Sequence, residues 1–200
     1  SYRALQQGMT PAKCIALALE LRRTVKLPLV FMGYYNPILS YGVEEFCRDS
    51  AAAGINGLIV PDLPPDESNA LDTAAIESGL DLVYLLAPTS TDDRISLVAR
   101  KSRGFIYLVS VAGVTGAREG VPDYLPDFVE KVRGKASQPL AIGFGVSSPP
   151  QAAAMASLAD GVIIGSKLIK LIEEDPSLAK LGTFVTEVRQ ALDWDYPFVA

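Results

Sequence analysis

Six short apolar runs recur along this chain, each followed by a turn-rich loop and then by a segment whose apolar residues repeat near every 3.6 positions. The runs are residues 29–35 (LVFMGYY), 57–61 (GLIVP), 82–87 (LVYLLA), 104–111 (GFIYLVSV), 140–144 (LAIGF) and 161–164 (GVII). Most are continuous rather than alternating, which is the pattern of strands covered on both faces of a parallel sheet. The intervening segments carry helix-start signals. Thr10 is placed as a cap ahead of Pro11, residues 65–68 (PDES) lead into a helix that ends on Gly79, and residues 90–93 open a third. Ser147-Ser148-Pro149-Pro150 and Gly165-Ser166 each open another, and a last helix is expected over about 178–192 before an irregular tail, 194–200. Strand and helix in alternation mean right-handed βαβ units and a parallel sheet. No linker or shift in composition divides the chain, so residues 1–200 are expected to form one domain. Six strands suit either an open doubly wound sheet or a closed barrel.

The composition narrows the possible chemistry. Hydrophobic residues are 49% and charged residues 20% of the chain, the make-up of a globular domain. No apolar run approaches the roughly 20 residues that span a bilayer, and the first residues lack a signal-peptide pattern. A net charge of −5 argues against a nucleic-acid partner, because binding a polyanion needs a basic surface. Cys14 and Cys47 share no metal-ligand spacing and read as reduced thiols, in or near the core, of a cytosolic protein. There is no histidine, so acid–base work falls to carboxylates, tyrosines or lysines, and no metal site is expected.

In both candidate architectures ligands bind at the carboxyl ends of the strands. Run 140–144 leads into Gly145 and a helix start, and run 161–164 into Gly165-Ser166 and another. Each can aim backbone N–H groups and the positive end of a helix dipole at an anion, with glycine letting the backbone come close. Two such loops closing consecutive units match the phosphate site after strands 7 and 8 of a (β/α)8 barrel. Counting back makes 29–35 strand 3, so the chain is expected to be a TIM barrel holding strands 3 to 8, with the first two βα units missing. Residues 110–120 (SVAGVTGAREG) have the make-up of an active-site lid. Asp62 stands at a strand end in a loop stiffened by Pro61, Pro64 and Pro65; a catalytic role is one reading, but with no second carboxylate paired to it, positioning a loop or meeting a partner is the favoured one. Tyr107 is expected in the core or on a pocket wall.

Tyr34-Tyr35-Asn36-Pro37, Pro61-Asp62-Leu63-Pro64, Leu86-Ala87-Pro88-Thr89, Tyr107-Leu108-Val109-Ser110, Gly113-Val114-Thr115-Gly116, Gly143-Phe144-Gly145-Val146-Ser147 and Gly165-Ser166 occur in this order. Together they resemble the tryptophan synthase α-subunit family, over nearly the whole chain. The resemblance implies retro-aldol cleavage of indole-3-glycerol phosphate to indole and glyceraldehyde 3-phosphate. It implies no cofactor in this subunit, pyridoxal phosphate only in a β partner, and an α2β2 assembly. Carried over, Gly116, Gly145, Gly165 and Ser166 would hold the phosphate. Met32, Tyr34, Ile59, Pro61, Leu86, Tyr107, Phe144 and Ile163 would line the indole and glycerol pocket, and Thr115 would help to close it. Asp62 and Pro64 would lie at the β-subunit interface. The family's catalytic glutamate and aspartate precede the helix that starts near Thr10, so no catalytic residue is assigned here and the polypeptide alone is expected to be inactive. Two other readings stand beside this one: another phosphate-binding barrel enzyme, FMN-dependent ones included, and a non-catalytic module that docks on a β subunit and modulates it.

Overall fold

The structure is a computed structural model that describes residue 4 and residues 6–110, 121–143 and 145–193. They fall into two compact units, drawn from Ser1–Tyr84 with Lys101–Gly104 and from Leu85–Arg100 with Phe105–Ala200.

The first unit runs α1 (Pro11–Leu21), β1 (Val30–Met32), α2 (Tyr35–Tyr41), α3 (Val43–Ala52), β2 (Gly57–Ile59), α4 (Asn69–Glu77) and β3 (Asp81–Val83). Its sheet is parallel in the order β1-β2-β3, in register Val30↔Gly57 and Gly57↔Asp81. Thr10 caps α1 as expected, its hydroxyl accepting from Lys13 N at 3.3 Å, with Pro11 at the first helical position. All of β2 is buried, which is why that run shows no alternation. Leu58 and Leu71 are at most 1% exposed, each worth roughly 1.5–3 kcal/mol of burial.

The second unit runs β4 (Leu85–Leu86), α5 (Asp92–Lys101, whose last residue packs with the first unit), β5 (Ile106–Val109), α6 (Leu125–Arg133), β6 (Leu140–Gly143), α7 (Pro149–Ala156), β7 (Gly161–Ile163), α8 (Ser166–Glu174) and α9 (Ala179–Asp193). Its sheet is parallel in the order β4-β5-β6-β7. Ile106, Leu108, Leu140 and Ile142 of its two central strands are fully buried, as are Leu125 and Val132 of α6.

Three expectations are corrected. Run 29–35 gives a strand only to Met32, because Tyr35 opens a helix: the Asp62 carboxylate accepts its N–H at 2.9 Å and Pro37 sits in the first turn, where a missing N–H costs nothing. Run 82–87 is two strands. At the break, Tyr84 N–H donates to Ser102 Oγ at 3.2 Å, and Leu82 O accepts from Arg103 N at 3.0 Å. A side chain thus takes the place of a ladder partner at Tyr84. Run 57–61 ends at Ile59, where Leu63 N–H turns back onto Val60 O at 3.2 Å. Two helices were not foreseen, α2 and α6. The second was legible, since Leu125, Phe128, Val129 and Val132 repeat at helical spacing behind the helix-start proline Pro126.

Candidate functional site

In the second unit, β6 and β7 are adjacent and parallel, paired Ala141↔Gly161 through Gly143↔Ile163. Their carboxyl ends therefore point the same way, and each feeds a helix whose amino end stands at that edge of the sheet. Gly145 has φ +85°, a conformation that an L side chain strains to adopt. The two tips differ in how they are finished. Ser148 caps α7, accepting from Gln151 N at 3.4 Å, while Gln151 Oε1 accepts from Ser147 N at 3.0 Å and from Ser147 Oγ at 2.9 Å. Gly165 is the N-cap of α8 and offers no side-chain acceptor, so among the described residues no side chain caps the first N–H groups of α8, at the exposed Ser166 and beyond. That tip is the anion-ready one.

In the sheet of this unit, Leu86 and Tyr107 are buried and Ile163 is half-buried. Burial raises the Tyr107 phenol above its ordinary pKa, which keeps it neutral. The Tyr107 ring lies over Gly143, whose missing Cβ would meet Cζ of the ring at 2.5 Å. At the end of β5, Ser110 N and Oγ both donate to Gly143 O, at 2.9 and 2.8 Å, and the Tyr124 hydroxyl donates to Ser110 O at 2.8 Å. Gly116 and Thr115, with the rest of 111–120, and Phe144 lie outside the described residues.

In the first unit, an apolar cavity of about 340 Å³ opens at the end of β1. Of the expected pocket residues it brings together Met32, Tyr34 and Ile59. Pro61 is exposed and is not among its lining residues. The sequence reading missed Met9, Pro11 and Cys14 on one wall and Phe46 on another; the apolar faces of α1 and α3 were the signal for them. Asp62, exposed, holds the Tyr35 N–H between its two oxygens, at 2.9 and 3.2 Å, so it positions the start of α2. Pro64 is exposed on the same loop. The loop's far end is anchored by a buried network. Lys101 Nζ lies 2.6 Å from Pro65 O and 2.7 Å from Asp72 Oδ2, and the Tyr84 hydroxyl donates to Asp72 Oδ1 at 2.6 Å. Among the described residues no group of three or more acidic, cysteine or histidine side chains could hold a metal ion, and no helix is long and apolar enough to cross a membrane.

Parallel strands that each lead into a helix, with glycine-led helix starts closing the last two units, place the chain in the (β/α)8-barrel class. The profile of the tryptophan synthase alpha chain family matches residues 1–192, and the chain belongs to that family. It is 55% identical over 193 residues to the tryptophan synthase alpha chain of Dehalococcoides mccartyi, spanning 96% of this chain and 76% of that one. The Geobacter sulfurreducens alpha chain is 45% identical over 196 residues, spanning 96% and 74%. Among solved structures, tryptophan synthase of Mycobacterium tuberculosis superposes with a TM-score of 0.87 at 40% identity, covering 94% of this chain and 71% of that one. The tryptophan synthase α2β2 complex of Pyrococcus furiosus does so with a TM-score of 0.87 at 35% identity, covering 94% and 77%.

Proposed function

We propose that this chain supplies the phosphate and indole sites of the indole-releasing subunit of tryptophan synthesis, which takes indole-3-glycerol phosphate and passes indole to a β subunit in an α2β2 assembly. The observation that carries the proposal is the uncapped amino end of α8, one strand away from the Gly145 turn, on a chain of this family. Gly165 and Ser166 would hold the phosphate through backbone N–H groups, with Gly145 beside them and Gly116 from the glycine-rich segment. Met32, Tyr34 and Ile59, which line the apolar cavity of the first unit, take the indole ring. An apolar lining with few polar groups suits an indole ring.

Cleavage is a retro-aldol step. A proton is delivered to indole C3, the bond from that carbon to the glycerol chain breaks, and the adjacent glycerol hydroxyl loses its proton as the carbonyl of glyceraldehyde 3-phosphate forms. No cofactor is required in this subunit; pyridoxal phosphate belongs to the β partner. The acid and base are, by family resemblance, a glutamate and an aspartate ahead of the position of Thr10, and Ser1–Met9 contain no carboxylate. Ser1–Ala200 assayed as such is therefore expected to bind ligand and not to cleave it. Asp62 and Pro64 would face the β subunit. The test mixes the chain with a β subunit and follows two outputs, serine-to-tryptophan turnover with supplied indole and release of indole from indole-3-glycerol phosphate. Stimulation of the first without the second is the expected result. Cleavage would overturn the assignment of the acid and base, and the absence of both effects would overturn the partner.

A further inference from the structure

We propose that Asp62 is a positioning residue: its carboxylate fixes Tyr34 at the mouth of the apolar cavity, linking the loop 60–68 to the cavity wall. Tyr34 is the N-cap of α2 and brings no side-chain acceptor, and the first turn of that helix holds no acidic residue. The acceptor comes from 27 residues away, both oxygens of Asp62 facing the Tyr35 N–H at 2.9 and 3.2 Å. Gly33 N–H donating to Ile59 O at 3.1 Å ends the backbone pairing of β1 with the β2 segment. Beyond that bond, the Asp62 contact is the next tie holding Tyr34 to the β2 side. Tyr34 is 60% exposed and lines the cavity beside Gly33 and Pro37, so little packing would hold its ring if the tie were cut.

The loop that carries Asp62 is itself stiff. Leu63 and Ser68 are buried, Glu67 N–H donates to Pro64 O at 3.0 Å, and Lys101 Nζ grips Pro65 O. A partner that settles on Asp62 and Pro64 would therefore meet a rigid surface and shield the Asp62–Tyr35 bond from water. Docking would then steady the cavity wall without touching it.

This inference rests on the reading that the cavity accepts indole, and the experiment separates the two. The full chain and its Asp62→Ala and Asp62→Asn variants are titrated calorimetrically with indole, and the Tyr34 ring resonances are followed by NMR without ligand. Asp62→Ala is expected to shift the Tyr34 resonances and weaken indole binding about fivefold. Asp62→Asn keeps a carbonyl oxygen for the Tyr35 N–H and is expected to restore both. Tyr34 resonances unmoved in Asp62→Ala would overturn the inference, as would an Asn variant as impaired as the Ala one, since charge would then be what matters. Resonances that shift and recover in a chain that binds no indole would support the positioning role and overturn the function proposed for the cavity.

Discussion

Tyr107 and Gly143 show how closely the second unit is packed beside its candidate ligand end. The ring occupies the space where a Cβ on Gly143 would stand, with Cζ at 2.5 Å from it, and Tyr107 is only 4% exposed. Gly143→Ala must push a buried aromatic or the backbone of β6 aside, an overpacking that costs roughly 1–3 kcal/mol. Urea unfolding is expected to show a free energy of unfolding lower by that amount, seen as a lower midpoint. In the first unit, Asp72 accepts from both Lys101 and Tyr84 in a site where the ion-pair side chains are 22% and 17% exposed. Asp72→Ala would leave the ammonium without its carboxylate and is expected to cost about 3 kcal/mol. Tyr84→Phe removes the hydroxyl's bonds with Asp72 Oδ1 and Ser68 Oγ and is expected to cost about 1.5 kcal/mol. If the two losses were equal, the ion pair would be contributing nothing beyond the hydrogen bonds. Cys47 supplies a pH dependence. Burial pushes its thiol up from 9.0 to about 11. Below pH 9 folded and unfolded chains both keep the proton and the contribution is complete; above it the unfolded chain ionises first, so stability falls as pH rises through 11. Tyr84, raised chiefly by burial, acts in the same direction above pH 10. Urea midpoints between pH 8 and 11 should fall less steeply for Cys47→Ala than for the parent chain.

The returns from helix to strand repeat one device. After α3, Gly54 N–H donates to Ala51 O at 2.9 Å and Ile55 N–H to Ser50 O at 3.0 Å; after α4, Gly79 and Leu80 do the same to Ile76 and Ala75 at 3.1 and 2.8 Å. Both glycines have positive φ, +85° and +72°, and an apolar residue follows each on the way to the next strand. Nothing stands within 4 Å of a Cβ at Gly79, whereas one at Gly54 would meet Arg22 Nε at 2.7 Å. Gly79→Ala is thus expected to cost about 1 kcal/mol, from backbone strain alone. Gly54→Ala should cost more, because it also displaces a guanidinium that donates to the Gly54, Val25 and Leu27 carbonyls and to Asn56. Equal thermal shifts for the two variants would contradict this reading. Elements of this kind were legible in the sequence because their causes are local: apolar runs, capping residues, glycines at helix ends. The last strand and last helix matched to within a residue or two. In two of the three runs where the reading failed, the cause was a distant side chain. The strand at 29–35 stops short because of Asp62, and that at 82–87 divides because of Ser102, and neither interaction has a signature in the run it alters.

At the scale of the molecule, the order of motifs carried the family, and the match over residues 1–192 agrees with it. The paired helix starts after the last two strands were legible for the same reason: a strand, a glycine and a helix start are contiguous in the chain. The finish of each helix tip was not, since Gln151 folds back on Ser147 over α7 while among the described residues no side chain caps α8. The walls of the apolar cavity were only half legible, because α1 and α3 reach them through packing between elements far apart in sequence. The most direct measurement is a calorimetric titration of Ser1–Ala200 and its Ser166→Asp variant with indole-3-glycerol phosphate. Saturable one-to-one binding, weakened about tenfold when a carboxylate is placed at the tip of α8, is the expected result. Binding that Ser166→Asp leaves unchanged, or no binding by a chain that is folded, would contradict an anion site at that tip.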